Sequence, residues 1–314
     1  YPRAFGAALA ACSGITGALI PPSIMLLIYG TIASVSIEKL FLAGVMPGLL
    51  IGIALALVSW RYATRHALPV RPWAGVGNVA RTAVSALWAL LLVVIIFGGI
   101  FGGVFTATEA SAVAAFYGLG VSLFVYRQVK PRDLPRIFVN AAKTTATLSF
   151  LIAAAGLFSW VLSVGYVPQT VGGALLSACD AAVQSVSGWL SPEALKLLNL
   201  VVVLLVLNLL LLLVGAFVDA GPALLILVPM LKPIGEQLGV DPVHFGVIIV
   251  SNLVLGLVTP PVGTTLFVAS GVGRVRMSEM IPHVLRFLPA MLLVQLLITY
   301  VPFFTTFLPG LLSK

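Results

Sequence analysis

The chain has 314 residues, 61% of them hydrophobic and 8% charged, with a mean hydropathy of +1.17 and a formal net charge of +8. A soluble domain carries about 25% charged residues because its surface meets water, so these proportions exclude a water-exposed globule and predict an integral membrane protein. The positive charge lies in short clusters between apolar runs, the pattern of loops held in the cytoplasm, which argues for a lipid bilayer and against nucleic acid as the partner.

In chain order, the first feature is an apolar stretch interrupted by Pro21-Pro22. Arg61, Arg65, His66, Arg71 and Arg81 follow as a first basic loop. The next apolar segment goes out and returns, with breaks expected at Gly98-Gly99 and Gly102-Gly103. Thr106 and Glu109 have the spacing of a helix cap. Arg127, Lys130, Arg132, Arg136 and Lys143 form a second basic loop. Residues 131–143 mix charge with Leu134, Ile137 and Phe138 and read as an interfacial amphipathic helix. Residues 144–164 then leave the cytoplasm, 165–193 face outside, and 195–214 re-enter. The run 204–214 is nearly all Leu and Val without period-two alternation, so the spans read as helices and not barrel strands.

Residues 215–240 differ. Gly215, Asp219, Gly221, Pro222, Pro229, Lys232, Pro233 and Gly235 interrupt an apolar sequence. Proline has no amide donor and clashes with the preceding turn, so a re-entrant helical hairpin, sheltered from lipid by protein, is expected here. Arg274, Arg276 and Arg286 form a third basic loop.

Only one other Pro-Pro pair occurs, Pro260-Pro261. Gly17 and Gly256 stand four residues before the two pairs, and Ser13 aligns with Asn252. PRAFG at 2–6 parallels PVHFG at 242–246, and Pro47 parallels Pro289. These ordered matches predict an internal repeat. The loop after the first pair holds Glu38 and Lys39, whereas the equivalent loop after the second holds the third basic cluster. The first copy ends in the first basic loop and the second in Lys314 alone. Equivalent loops therefore face opposite sides, and paired, inverted, Gly/Pro-broken helices mark transporters. The second copy carries a hairpin before its Pro-Pro helix, so a matching first hairpin is expected before Tyr1, in a chain that is a fragment or has its N-terminal region elsewhere.

A Pro-Pro pair frees backbone carbonyls that can coordinate sodium, and nearby half-helix amino ends suit a carboxylate. Ser13, Ser23, Asn252, Thr259, Thr264 and Thr265 add oxygen and amide groups, which hard cations prefer. The plainer reading is structural kinks with hydroxyls bonded to their own helices. Asp219 is expensive in an apolar hairpin, and either ligates sodium, orients the tip or caps a half-helix. Glu109 reads as a cap. Cys12 and Cys179 have no ligand-like spacing and read as small core residues, and the histidines His66, His244 and His283 are scattered too. The chain holds no GxxxxGK[ST], HExxH or GxSxG, so neither an ATPase nor an intramembrane hydrolase is expected. The permease of an ATP-driven importer, with its ATPase on another chain, is the alternative.

SGITGALIPPSI at 13–24 resembles the G-x-x-IPPSI segment of the large membrane subunit of TRAP transporters, the tripartite ATP-independent periplasmic type. SIEKLFLAGVMPG at 36–48, TATEA at 106–110, DPVHFG at 241–246 and GLVTPPVG at 256–263 resemble further segments of that subunit, in order. The resemblance implies an all-α polytopic membrane protein, an inverted-repeat elevator-type transporter of the C4-dicarboxylate type, with no enzymatic activity and no cofactor. It implies sodium as the coupling ion and a small organic acid as substrate. It also implies a small four-helix membrane subunit and a periplasmic substrate-binding protein as partners, in the inner membrane. By match, sodium and substrate lie near Ser13, Gly17, Ile20, Pro21, Pro22 and Ser23, and near Gly215, Asp219, Asn252, Thr259, Pro260, Pro261, Val262 and Gly263. The implied division is transport-domain segments at 1–35 and 215–275, an arm and cytoplasmic loop at 36–82, scaffold and connecting helices at 83–214, and an arm with the last scaffold helix at 276–314.

Overall fold

A computed structural model describes residues 1–69, 74–184 and 191–312. Arg71 of the first basic loop and Lys314 lie outside the described residues. Every regular element among the described residues is helical. The α-helices are α1 (Arg3–Leu19), α2 (Ile24–Ala33), α3 (Ile37–Arg65), α4 (Val76–Phe101), α5 (Ala107–Gly120), α6 (Leu134–Val164), α7 (Val167–Gln184), α8 (Pro192–Phe217), α9 (Ala220–Gln237), α10 (Pro242–Gly256), α11 (Thr264–Gly273), α12 (Met277–Tyr300) and α13 (Phe303–Leu312). Among the described residues six helices are long and apolar enough to cross a membrane, or seven if the bent pair α1–α2 counts as one span.

The helices form two compact units, residues 1–68 with 153–314, and residues 69–152. In the larger unit the expected repeat is visible as matching elements. α1 and α10 each end at a Pro-Pro break, because neither proline can donate to the preceding turn. α2 and α11 follow, each of 10 residues, and each closes on a residue in the left-handed region, Ser34 (φ 58°) and Arg274 (φ 49°). The long helices α3 and α12 come next. Both Pro-Pro peptide bonds are cis.

The two copies run in opposite directions. A Cβ placed on Gly273, at the end of α11, would lie 3.0 Å from Cβ of Ala7, at the start of α1. At the other end, the Tyr29 hydroxyl in α2 donates to the Pro242 carbonyl, at the start of α10, at 3.1 Å. Since α1 and α2 bend by only 41° at their break, they cross from the first end to the second, and α10–α11 cross back. α3 and α12 are opposed too: Tyr62, near the end of α3, packs edge-on to His283, near the start of α12.

This geometry gathers the arginines. Arg3, Arg61, Arg65, Arg274, Arg276 and Arg286 lie at the end where α1 and α12 start and α3 and α11 finish, with Glu279 as the acid. At the opposite end Lys39, Lys196 and Lys232 are balanced by Glu38, Glu193, Glu236 and Asp241. The arginine-rich end is therefore cytoplasmic.

The hairpin expected within 215–240 is larger than its glycines and prolines suggest. Its limbs are α8, with 26 residues, and α9, with 18, and they meet at Val218-Asp219. A cavity of about 390 Å³ is lined together by Leu197 and Leu200 from the start of α8 and Leu238 from just after α9. The limbs therefore run back along each other, and both open ends face the non-cytoplasmic side. Residues 195–214, expected as a separate span, form most of the first limb. Gly215 sits inside α8, and Pro229 and Pro233 sit inside α9 without ending it. Buried neighbours such as Val228, Leu231 and Ile234 hold that helix through the missing donors.

In the smaller unit α4 passes through Gly98-Gly99 and ends at Gly102. The chain turns at Gly103 (φ 68°), and Phe105 packs over Gly99. Thr106 then opens α5 with a capping box: its hydroxyl accepts from the Glu109 amide at 3.3 Å, and Glu109 Oε2 accepts from the Thr106 amide at 2.8 Å. Glu109 is thus a cap, as its spacing predicts. The tyrosines Tyr117 and Tyr126 donate back to the carbonyls of Trp88 and Ser85, tying this segment antiparallel to α4. The expected interfacial helix at 131–143 is not a separate element. A 3-10 turn, Pro131–Asp133, leads into one continuous α6 through residues 144–164. Nothing between Lys143 and Thr144 breaks a helical ladder, so the charged face and the span fuse.

Candidate transport site

At the first break, Pro21 and Pro22 remove the donors that would meet the carbonyls of Gly17 and Ala18. Ser23 repairs one of these losses. Its hydroxyl donates to the Ala18 carbonyl at 2.5 Å and accepts from the Leu26 amide at 3.2 Å, so it also caps α2. No backbone hydrogen bond among the described residues reaches the carbonyls of Ile20, Pro21 or Pro22. α3 backs this break with Gly44, Gly48 and Gly52, a small-residue spacing that lets helices approach closely. A Cβ on Gly44 would lie 2.5 Å from the Leu19 carbonyl oxygen, and Gly48 lies under the Ile20 side chain.

The second break is longer, residues 257–263. Its two orphaned helix carbonyls are met by backbone: Gly256 O accepts from the Thr259 amide at 2.8 Å, and Leu257 O from the Thr265 amide at 3.2 Å. The carbonyls of Thr259, Pro260, Pro261 and Val262 receive no backbone hydrogen bond among the described residues. Gly263 (φ 54°) takes a left-handed conformation that glycine adopts without penalty, and its amide donates to the Ala216 carbonyl of the hairpin at 3.2 Å. The tip is pressed against the break by two glycines. A Cβ on Gly215 would lie 2.5 Å from Leu253 O and 3.1 Å from Gly256 Cα.

The breaks are near each other: a Cβ on Gly14, less than two turns before the first break, would meet Cγ2 of Thr265, within one turn after the second, at 3.8 Å. Four helix ends therefore converge inside the larger unit. Two are amino ends, at the starts of α2 and α11, and two are carboxyl ends, at the ends of α1 and α10, with the uncovered carbonyls in the break residues between them. Among the described residues no group of three or more His, Cys, Asp or Glu is placed to hold a metal ion. The oxygens available around the breaks belong mostly to backbone and hydroxyl groups.

The sequence model of the family described as "Tripartite ATP-independent periplasmic transporter, DctM component" matches residues 1–304. The chain belongs to the DctM family.

Curated relatives agree along the whole chain. The C4-dicarboxylate TRAP transporter large permease protein DctM of Pseudomonas aeruginosa is 40% identical over 313 residues, covering 100% of this chain and 69% of the relative. The isethionate TRAP transporter permease protein DctMQ of Oleidesulfovibrio alaskensis is 39% identical, covering 99% of this chain and 46% of the relative. The sialic acid TRAP transporter large permease protein SiaM of Vibrio cholerae is 36% identical, covering 99% and 69%. As a DctM-family permease, the chain is a multi-pass inner-membrane transporter subunit and not an enzyme.

Within this DctM-family chain the predicted site residues other than Ser13 and Asp219 fall into three groups. Gly17, Ile20, Pro21, Pro22 and Ser23 form the first break, and Thr259, Pro260, Pro261, Val262 and Gly263 form the second, with Gly215 packed on it. Two hydroxyls are bonded to their own helices: Ser13 donates to Ala10 O at 3.0 Å and Thr259 to Leu255 O at 3.0 Å. Ser13 is also exposed. Asp219 is exposed at the tip, where it caps α9 with a long 3.4 Å contact from the Gly221 amide.

Asn252 forms the third group, apart from the breaks. It is buried and donates to Asn208 Oδ1 at 2.6 Å and to Ile248 O at 2.8 Å. Sequence reasoning missed its partners. Asn208 Oδ1 also accepts from Gln295 Nε2 and Thr299 Oγ1, both at 3.1 Å. His244 Nε2 faces the Thr299 carbonyl at 3.3 Å, and Nδ1 faces Thr305 Oγ1 at 2.7 Å. This network ties the hairpin limb α8 to α10, α12 and α13. The available signal was Asn208 itself, a lone amide in a Leu/Val run, because a polar group at such depth needs a protein partner.

Proposed function

We propose that this chain is the large permease subunit of a sodium-driven importer of small organic acids, working by an elevator movement. The observation that carries the reading is the pair of adjacent, opposed breaks with carbonyls outside the helical ladder. Carbonyl oxygens suit a desolvated sodium ion, and the amide ends of α2 and α11 suit a carboxylate. The names of the relatives fit an organic anion: C4-dicarboxylate, isethionate and sialic acid. In this reading residues 1–35 and 215–275 carry the ligands across, while 36–82, 83–214 and 276–314 serve as arms and scaffold. A small four-helix membrane subunit shares the scaffold, and a periplasmic binding protein delivers the substrate. The fused DctMQ relative supports a membrane partner at close quarters.

Uptake into proteoliposomes containing the permease, its membrane partner and a loaded binding protein tests the reading. Accumulation should require an inward sodium gradient and collapse when sodium is equal on both sides. Uptake indifferent to that gradient rules out sodium coupling.

A further inference from the structure

We propose that a cavity at the cytoplasmic end of the larger unit binds the phosphate head group of an anionic phospholipid. The cavity, about 360 Å³, lies between the end of α3 and the start of α12 and is closed by α1. Arg61, Arg65 and Arg286 line it, and no carboxylate does. None of the three is in an ion pair; among the described residues the one recorded is Lys232–Glu236. Three uncompensated guanidiniums around one hollow ask for an anion with several acceptor oxygens.

The wall of the cavity is built. Phe5 stacks on Tyr62 with ring centroids 4.0 Å apart, and Tyr62 stacks on His66 at 4.1 Å. Arg286 is held over the Tyr62 ring at 5.3 Å and donates to His283 Nδ1 at 3.0 Å. Its charge is thus fixed in place without being neutralised.

The cavity is also polarised along the membrane normal. Val58 lies one turn deeper on α3 than Arg61 and Tyr62, and Pro289 one turn deeper on α12 than Arg286. Cations line the mouth and apolar groups line the floor, which matches a head group with an attached acyl chain. A free inorganic anion would leave the apolar floor unused. Basic pockets between spans on the cytoplasmic side are suited to such lipids. Arg274 and Arg276 share the same membrane face without lining the cavity. They supply orientation charge alone and so provide a control.

The experiment is native mass spectrometry of the purified permease with phosphatidylglycerol or phosphatidylcholine, and with inorganic phosphate as competitor. The wild type should retain phosphatidylglycerol preferentially. Arg61→Gln with Arg286→Gln should weaken retention by about fivefold per arginine. Arg274→Gln with Arg276→Gln should leave it unchanged. All four side chains are exposed, and matching melting curves would confirm that both variants fold. An equal loss in both pairs would reduce the effect to a diffuse surface field and overturn the site. No preference for phosphatidylglycerol, or its displacement by millimolar phosphate, would overturn the lipid assignment.

Discussion

Gly256→Ala tests how the hairpin tip is seated. The added Cβ would lie 2.5 Å from Gly215 Cα and 2.8 Å from the Ala216 amide nitrogen. Both neighbours are backbone, so no side chain can swing aside. The Gly215 carbonyl carbon is closer still; ordinary contact begins near 3.4 Å, so the end of α8 must retreat by about 1 Å. The Gly263–Ala216 hydrogen bond is already 3.2 Å long and would not survive that movement. Overpacking of this kind costs about 1–3 kcal/mol. If the cost falls on the seated state alone, sodium activation weakens about 5- to 150-fold. A sodium titration of uptake in proteoliposomes reads this directly, and a melting curve in detergent separates it from general unfolding. Gly215→Ala should act alike. The double variant should cost less than the sum, because the first methyl has already opened the gap. Gly256→Ala with wild-type sodium half-saturation would refute the argument that this contact seats the tip.

Asp219→Asn separates capping from ion binding, since Asn caps as well as Asp; a sodium titration unchanged by it would remove the carboxylate from the ion's path. Asn208→Ala leaves donors on Asn252, Gln295 and Thr299 without their acceptor, which should cost about 1–3 kcal/mol in a denaturant or thermal melt; an unchanged melt would mean the network is not holding α8. Pro261→Ala restores an amide that can bond to Leu257 O in place of Thr265 and extend α10; sodium activation should weaken while the fold persists by circular dichroism.

Much of the membrane core was legible because proline and arginine signal locally. The two Pro-Pro pairs marked the breaks, and the arginine distribution gave their opposed directions. The hairpin was misjudged because Gly215, Pro229 and Pro233 look like breakers in isolation. What ends α8 is Val218-Asp219, and an Asp N-cap ahead of Gly221 and Pro222 in a first turn was a readable sign of it. The buried network was hidden for another reason. Asn208, Asn252 and the Gln295–Thr299 pair are far apart in the chain, and only the packing of α8, α10 and α12 brings them within hydrogen-bond reach.

The meeting of four helix ends has an electrostatic consequence. Amide ends carry about half a positive charge each and carbonyl ends about half a negative one, so the cluster behaves as a small quadrupole with no net monopole. A lone cation would gain from two poles and be repelled by the other two, and a lone anion the reverse. A pair of opposite ions would satisfy all four at once, so on the function proposed above the junction would favour joint occupancy over either ion alone.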